Sequence, residues 1–90
     1  MIYEWDETKR VANSVKHGVD FTEAEKFDWS TALETQDTRF DYEEIRWVAL
    51  GCIDNRLHVL IYTERANSIR LISLRRANKR EVAYYEKEQA

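Results

Sequence analysis

Apolar and polar positions follow two rhythms along this chain. The second half holds three runs rich in β-branched, leucine and aromatic residues: Ile45 to Ile53, Leu57 to Glu64, and Ser68 to Arg75. Each has the length and composition of a strand. Asp54-Asn55 and Arg65-Ala66-Asn67 separate them, and Asn and Asp tolerate the left-handed backbone that tight hairpins need. The first half mixes helix and strand signals. Ile2 to Trp5 reads as a short strand. Asp6 follows as a helix N-cap, with basic residues toward Lys16-His17 and a C-terminal glycine at Gly18. Thr22 caps a second short helix whose Phe21, Ala24 and Phe27 form an apolar stripe. Trp29 to Thr35 reads as a strand, and the polar, acidic Gln36 to Glu44 as a loop where mobility is expected. A last helix should run from Ala77 to about Lys87. The expected order is β-α-α-β-β-β-β-α. That is an α+β fold: an antiparallel sheet carrying two N-terminal helices and one C-terminal helix.

Ninety residues suit one domain, residues 1–90, with a single small core. Hydrophobic residues make up 43% and charged residues 34%, a globular rather than a disordered balance. No apolar run approaches the ~20 residues of a membrane span. The start, Met1-Ile2-Tyr3-Glu4-Trp5-Asp6, has acids where a signal peptide would be basic. The one cysteine, Cys52, excludes an internal disulfide framework and is expected as a small buried residue. A cytoplasmic location is expected, without a cofactor. Two histidines and one cysteine far apart have no zinc spacing, so no metal is expected.

The net charge of -3 argues against free nucleic-acid binding, but its distribution changes that picture. By direct count, residues 1–45 carry about -7 and residues 46–90 about +4. Such a chain is either internally neutralised or built as a basic cleft with an acidic back.

Chemistry concentrates in Ile69-Arg70-Leu71-Ile72-Ser73-Leu74-Arg75-Arg76-Ala77. Arginine is always charged, and its planar fork matches phosphate oxygens. Strict alternation puts Arg70, Ile72, Leu74 and Arg76 on one face and Leu71, Ser73 and Arg75 on the other. Both sets line one cleft only if the strand twists or bulges. Either Arg75 or Arg76 is expected on an anion and the other in a structural role. The plainer alternative is that these arginines pair with the chain's many carboxylates. Chemistry at such an anion takes a base, cations for the negative charge that develops and an acid for the leaving group. Arg46, Arg65, Arg70, Arg75 and Arg76 are candidate cations, and Ser73 is a candidate phosphate donor. His17, His58, Glu64 and Lys16 are candidate acids and bases, with helix capping and ordinary burial as the plainer roles of the histidines. Lys9 and Lys16 lie two turns apart on one helix face, which is either a basic ridge or a solvated surface. Trp5, Trp29 and Trp47 are expected in the core or an interface.

The chain resembles the BrnT family of toxins from bacterial type II toxin–antitoxin systems. The resemblance rests on Tyr3-Glu4-Trp5-Asp6-Glu7-Thr8-Lys9 and, most specifically, on Asn13-Ser14-Val15-Lys16-His17-Gly18-Val19-Asp20-Phe21. It continues through Glu44-Ile45-Arg46-Trp47, the strand ending Tyr62-Thr63-Glu64-Arg65, and Arg70 through Arg76 with Glu81 and Tyr84-Tyr85. Ile45 stands where many relatives have arginine, and Leu74 where alanine is commoner. The resemblance implies a RelE-like ribonuclease fold and an RNA-cleaving, translation-blocking activity. Taken with the chemistry of the residues above, the resemblance suggests Arg70, Ser73, Arg75, Arg76, Glu64 and His17 as catalytic residues, and Lys9, Lys16, Arg46 and Arg65 as RNA contacts. It also implies a small antitoxin, BrnA in that family, whose DNA-binding domain brings the complex to its own operator, with a heterotetramer as the suggested assembly. A different class of function is a binding module that grips its antitoxin and assists repression without catalysis.

Overall fold

The computed structural model describes residues 2–89. Its elements are β1 (Tyr3–Glu4), α1 (Glu7–His17), 3₁₀ turns at Phe21–Lys26 and Trp29–Thr31, β2 (Leu33–Asp37), β3 (Arg46–Ile53), β4 (Arg56–Glu64), β5 (Ile69–Arg76) and α2 (Lys79–Gln89). The five strands form one sheet in the order β1-β5-β4-β3-β2. Among the described residues no helix is long and apolar enough to cross a membrane.

The α+β class holds, but the sheet is mixed rather than antiparallel. Tyr3 pairs with Ile69 and Glu4 with Arg70 in parallel, while β2 to β5 pair antiparallel with their sequence neighbours. Hairpin signals are local and report only consecutive strands. The β1–β5 pairing joins the two ends of the fold and leaves no local trace.

The helix count also differs. Only α1 is an α-helix in the N-terminal half, since Phe21–Lys26 winds as 3₁₀. Six residues are too few for a stable α-helix, and the turn closes with Phe27 N–H donating to Ala24 at 3.0 Å. Trp29–Thr31 is a second 3₁₀ turn, so the strand expected from Trp29 starts only at Leu33 and runs on to Asp37.

Local signals elsewhere place elements well. Asp6 accepts from Lys9 N–H at 3.1 Å, and Gly18 ends α1 at φ 70° with its N–H on Ser14. Asp54 and Asn55 both take positive φ, as a two-residue hairpin demands. Asn78 and Glu81 cap α2 reciprocally, at 2.8 and 2.9 Å.

The core lies between the segment that follows α1, Val19 to Phe27, on one side and one sheet face on the other. Val19, Phe21, Ala24, Phe27, Ala49, Ile53, Leu60, Tyr62, Leu71 and Leu74 form it, with Trp5, Trp29 and Trp47 packed at its margin. Gly51 lets Phe27 press directly on β3, because a Cβ there would meet the ring at 2.4 Å. Cys52 is half-buried rather than fully enclosed.

Candidate functional site

Leu71 and Leu74 are both buried, although three positions apart on a strand should put them on opposite faces. The pairing supplies the reason. Ile61 pairs with Ser73 and Tyr62 with Leu71, so Ile72 is an extra residue, a β-bulge. Beyond it the alternation is reset. By register, Arg70, Ser73 and Arg75 share a face with Thr63, Ile61 and Val59, their partners on β4. Arg46 joins this face through Asp37, its partner on β2. Arg76 pairs with His58 and falls on the core-side face at the strand end. Strict alternation thus separates residues that the bulge unites.

A cleft of about 310 Å³ opens on this face, floored by Val48, Val59 and Ile61 and walled by Asp37, Arg39, Arg75 and Glu81. Arg75 is held end-on: its Nη1 and Nη2 donate to the two carboxylate oxygens of Glu81 at 2.8 Å each. Nη1 also donates to the Arg76 carbonyl at 3.3 Å. Of the five guanidinium donors, Nε–H and one Nη2–H remain, and these two lie on one edge of the plane. The pairing lowers the Glu81 pKa and raises that of Arg75. Across the cleft Arg39 grips Asp37 through Nε at 2.9 Å and Nη2 at 2.8 Å. The Asp37 side chain, 1% exposed, is held well below the ordinary carboxylate range by this arginine.

His17 closes α1 within electrostatic reach of Arg75. Burial first, then the positive charges of Lys16 and Arg75, push its pKa below the ordinary imidazole value. The neutral ring is therefore favoured, which is the form a general base needs.

α1 is fixed against β5 by Asn13, 7% exposed. Its Nδ2 donates to the carbonyls of Leu74 at 2.8 Å and Val19 at 3.0 Å, and its Oδ1 accepts from Leu74 N–H at 3.1 Å. Ser73 Oγ adds a longer bond to Oδ1 at 3.4 Å. The amide thus pairs with the β5 backbone as a neighbouring strand would, beyond the point where the two-residue β1 ends.

The remaining candidates are dispersed. Lys16 stands beside His17, whereas Lys9 lies about 10 Å back along the helix axis. Arg70 approaches Glu4 at 3.6 Å. Arg65, in the turn between β4 and β5, pairs with Glu44 at 3.1 Å and Glu4 at 3.7 Å. Arg46 lies over the Tyr42 ring, 4.0 Å from its centre. Glu64 is exposed and lines a different cavity, on the core-side face, with Trp29, Glu34 and Tyr62. There Tyr62 donates to Glu34, and burial raises the tyrosine's pKa. His58 is buried with Nδ1 against the Arg56 carbonyl at 2.8 Å, a satisfied core histidine. The structure therefore gathers Arg46, Arg70, Ser73 and Arg75 on one face with His17 within electrostatic reach of Arg75, and leaves Glu64 and Arg76 apart. Sequence reasoning missed Asp37, Arg39 and Glu81. Asn78-x-x-Glu81 carries a capping signal, whereas the loop residues carry none.

A family model described as "Ribonuclease toxin, BrnT, of type II toxin-antitoxin system" matches residues 5–81. No curated protein matches the chain. The matched span includes α1, the bulged strand and Glu81, so both sides of the Arg75 clamp lie inside it. The chain belongs to the BrnT family of ribonuclease toxins of type II toxin–antitoxin systems.

Proposed function

We propose that the chain is a one-domain, metal-independent endoribonuclease that blocks translation by cutting RNA on the cleft face of the sheet. The observation that carries this reading is the bulge at Ile72, which puts Arg70, Ser73 and Arg75 on one face, with His17 within electrostatic reach of Arg75. Neutral His17 takes the proton of a 2′-hydroxyl. The freed 2′-oxygen attacks the adjacent phosphorus, and the bond to the 5′-oxygen breaks. The free edge of Arg75, with Arg70 and Ser73, faces the negative charge that builds on the phosphorane. Lys16 is the candidate acid that protonates the leaving oxygen. The products are a 2′,3′-cyclic phosphate and a 5′-hydroxyl end. Arg46 and Arg65 extend the contact along the RNA, with Lys9 at its margin. Glu64 and Arg76 take supporting roles outside the reacting centre.

Family membership supports a small antitoxin, and we propose one of BrnA type that binds this toxin in the cytoplasm as a heterotetramer and carries the operator-binding domain. The test is cleavage of a defined RNA with EDTA present, followed by analysis of the new ends. Cyclic phosphate from the parent chain, lost in folded Arg75→Ala and His17→Ala variants, supports the mechanism. Cleavage that EDTA abolishes overturns its metal independence.

A second reading has its own observation. Arg39, Arg65, Arg70 and Arg75 all lie within ion-pair distance of carboxylates. That arrangement suits a non-catalytic scaffold that serves antitoxin binding and repression. An absence of cleavage by the folded chain, with and without translating ribosomes, would favour it.

A further inference from the structure

The segment between β2 and β3 is acidic, yet it holds an open aromatic side chain, the more exposed of its two large hydrophobic residues. Phe40 is 69% exposed. A phenylalanine offered to water at a loop tip has no reason in folding, because it buries little there. The loop is nonetheless carefully anchored. Asp37 accepts from the Arg39 backbone and guanidinium and from the Tyr42 hydroxyl, so the residues on both sides of Phe40 are tied to one buried carboxylate. Phe40 and Tyr42 pack T-shaped, ring centres 5.9 Å apart, and the Arg46 guanidinium lies over the Tyr42 ring. The result is a continuous series of an open aromatic face, an aromatic spacer and a cation. A cavity of about 490 Å³ is lined by this loop, and it shares Asp37 and Arg39 with the cleft that holds Arg75.

We infer that Phe40 is a stacking platform for an unpaired RNA base next to the scissile phosphate, with Arg46 holding a neighbouring phosphate. The inference rests on the ribonuclease reading and adds to it a residue that selects single-stranded substrate. Every base has a π-face, so a lone aromatic binds unpaired nucleotides with little sequence preference. A base held inside a duplex cannot reach it. The charges around it fit this assignment. Arg39 and Arg65 neutralise Asp37 and Glu44, while Asp41 and Glu43 stay exposed. Two open carboxylates disfavour the phosphate backbone near the tip but leave stacking on a neutral base unopposed. The two contacts consequently respond differently to salt.

The test is binding of a short 2′-O-methylated oligouridylate, which cannot be cleaved through its 2′-oxygen, to the full chain and its variants over a range of salt. Phe40→Ala should weaken binding roughly 5- to 150-fold, the range of one base–aromatic stack. Its salt slope should match the parent's. Phe40→Trp should restore affinity, and an abasic oligomer should not distinguish the three. Arg46→Ala should instead flatten the salt slope by about 0.7, the signature of one lost phosphate contact on a single strand. Equal binding by the parent and Phe40→Ala would overturn the inference and leave the ribonuclease reading standing. A parent that binds no oligomer at any salt would overturn both. Intact RNA binding with weakened antitoxin binding in Phe40→Ala would overturn it in favour of a protein-facing role.

Discussion

Glu81 grips Arg75 through two parallel hydrogen bonds of 2.8 Å while also capping its own helix through Asn78. One carboxylate thus ties the start of α2 to the last turn of β5 and sets the plane of the guanidinium. Glu81 acts through Arg75 and is a positioning residue. Arg75→Ala should lower cleavage roughly 100- to 1,000-fold, as loss of a transition-state donor does. Glu81→Gln should cost less, about 10-fold, because the cation stays but swings free. The split shows in steady-state kinetics: the glutamine variant should lose kcat with KM nearly unchanged, and Glu81→Asp should not restore it.

His17 sets a pH dependence. Its pKa is depressed, so the neutral base persists to lower pH than an ordinary imidazole near 6.5 permits. The rate should hold as pH falls through that value and drop only below it. Removing the Arg75 charge lifts one of the depressing influences. In Arg75→Ala the residual activity should therefore lose its acid limb at higher pH than in the parent. A pH–rate profile of kcat/KM reads both, and an unmoved limb would remove His17 from the role of base.

Asn13 makes a local but strong stability prediction. Its amide satisfies two carbonyls and a backbone N–H inside the fold, so Asn13→Leu leaves three buried polar groups unpaired. Each such group costs about 1–3 kcal/mol, and a loss of about 3 kcal/mol or more in a denaturant titration is expected. The adjacent residue predicts the reverse. Ser14 Oγ is buried with no partner, so Ser14→Ala should be neutral or stabilise by up to about 1 kcal/mol.

Asp37 predicts acid sensitivity. Its folded pKa lies well below the unfolded value near 3.9, so its contribution is complete above that value and is lost as pH falls through the depressed one. The parent should therefore keep this contribution to its denaturation midpoint down to pH of about 4 and lose it progressively toward more acid pH. Asp37→Asn should start lower at neutral pH and lose less over the same interval, with the acid-side difference between the two shrinking. Parallel midpoints across the range would show that the Arg39 clamp contributes nothing.

Much of this was legible from local chemistry. Asp6 and Gly18 bracket α1, and Asp54-Asn55 can occupy the positive φ that joins β3 to β4. The Asn13 to Phe21 motif points to the family, and the packing gives its physical content: Asn13 at the β5 edge, His17 near Arg75, and Phe21 in the core. The face of each arginine was not legible. Ile72 is an ordinary β-branched residue, and nothing in its type announces a bulge. One unpaired residue there reverses the assignment of Arg70 relative to Ser73 and Arg75. The parallel β1–β5 pairing and the Glu81 clamp were equally hidden, because each depends on segments that meet only after folding.

The amide of Asn13 has a consequence for assembly. A sheet edge normally offers a row of free N–H and C=O groups that recruits strands from other chains. Along β5 the pairing with β1 stops at Arg70, and Asn13 occupies the backbone groups of Leu74 beyond it. That stretch of β5 is shut to an incoming strand, and β1 beside it offers an edge of only two residues. The opposite margin, β2 from Leu33 to Asp37, has no strand on its outer side among the described residues. A protein that joins this sheet by adding a strand is thereby directed to β2, the longer of the two edge strands, which runs straight into the loop that carries Phe40 and on to Arg46 at the start of β3.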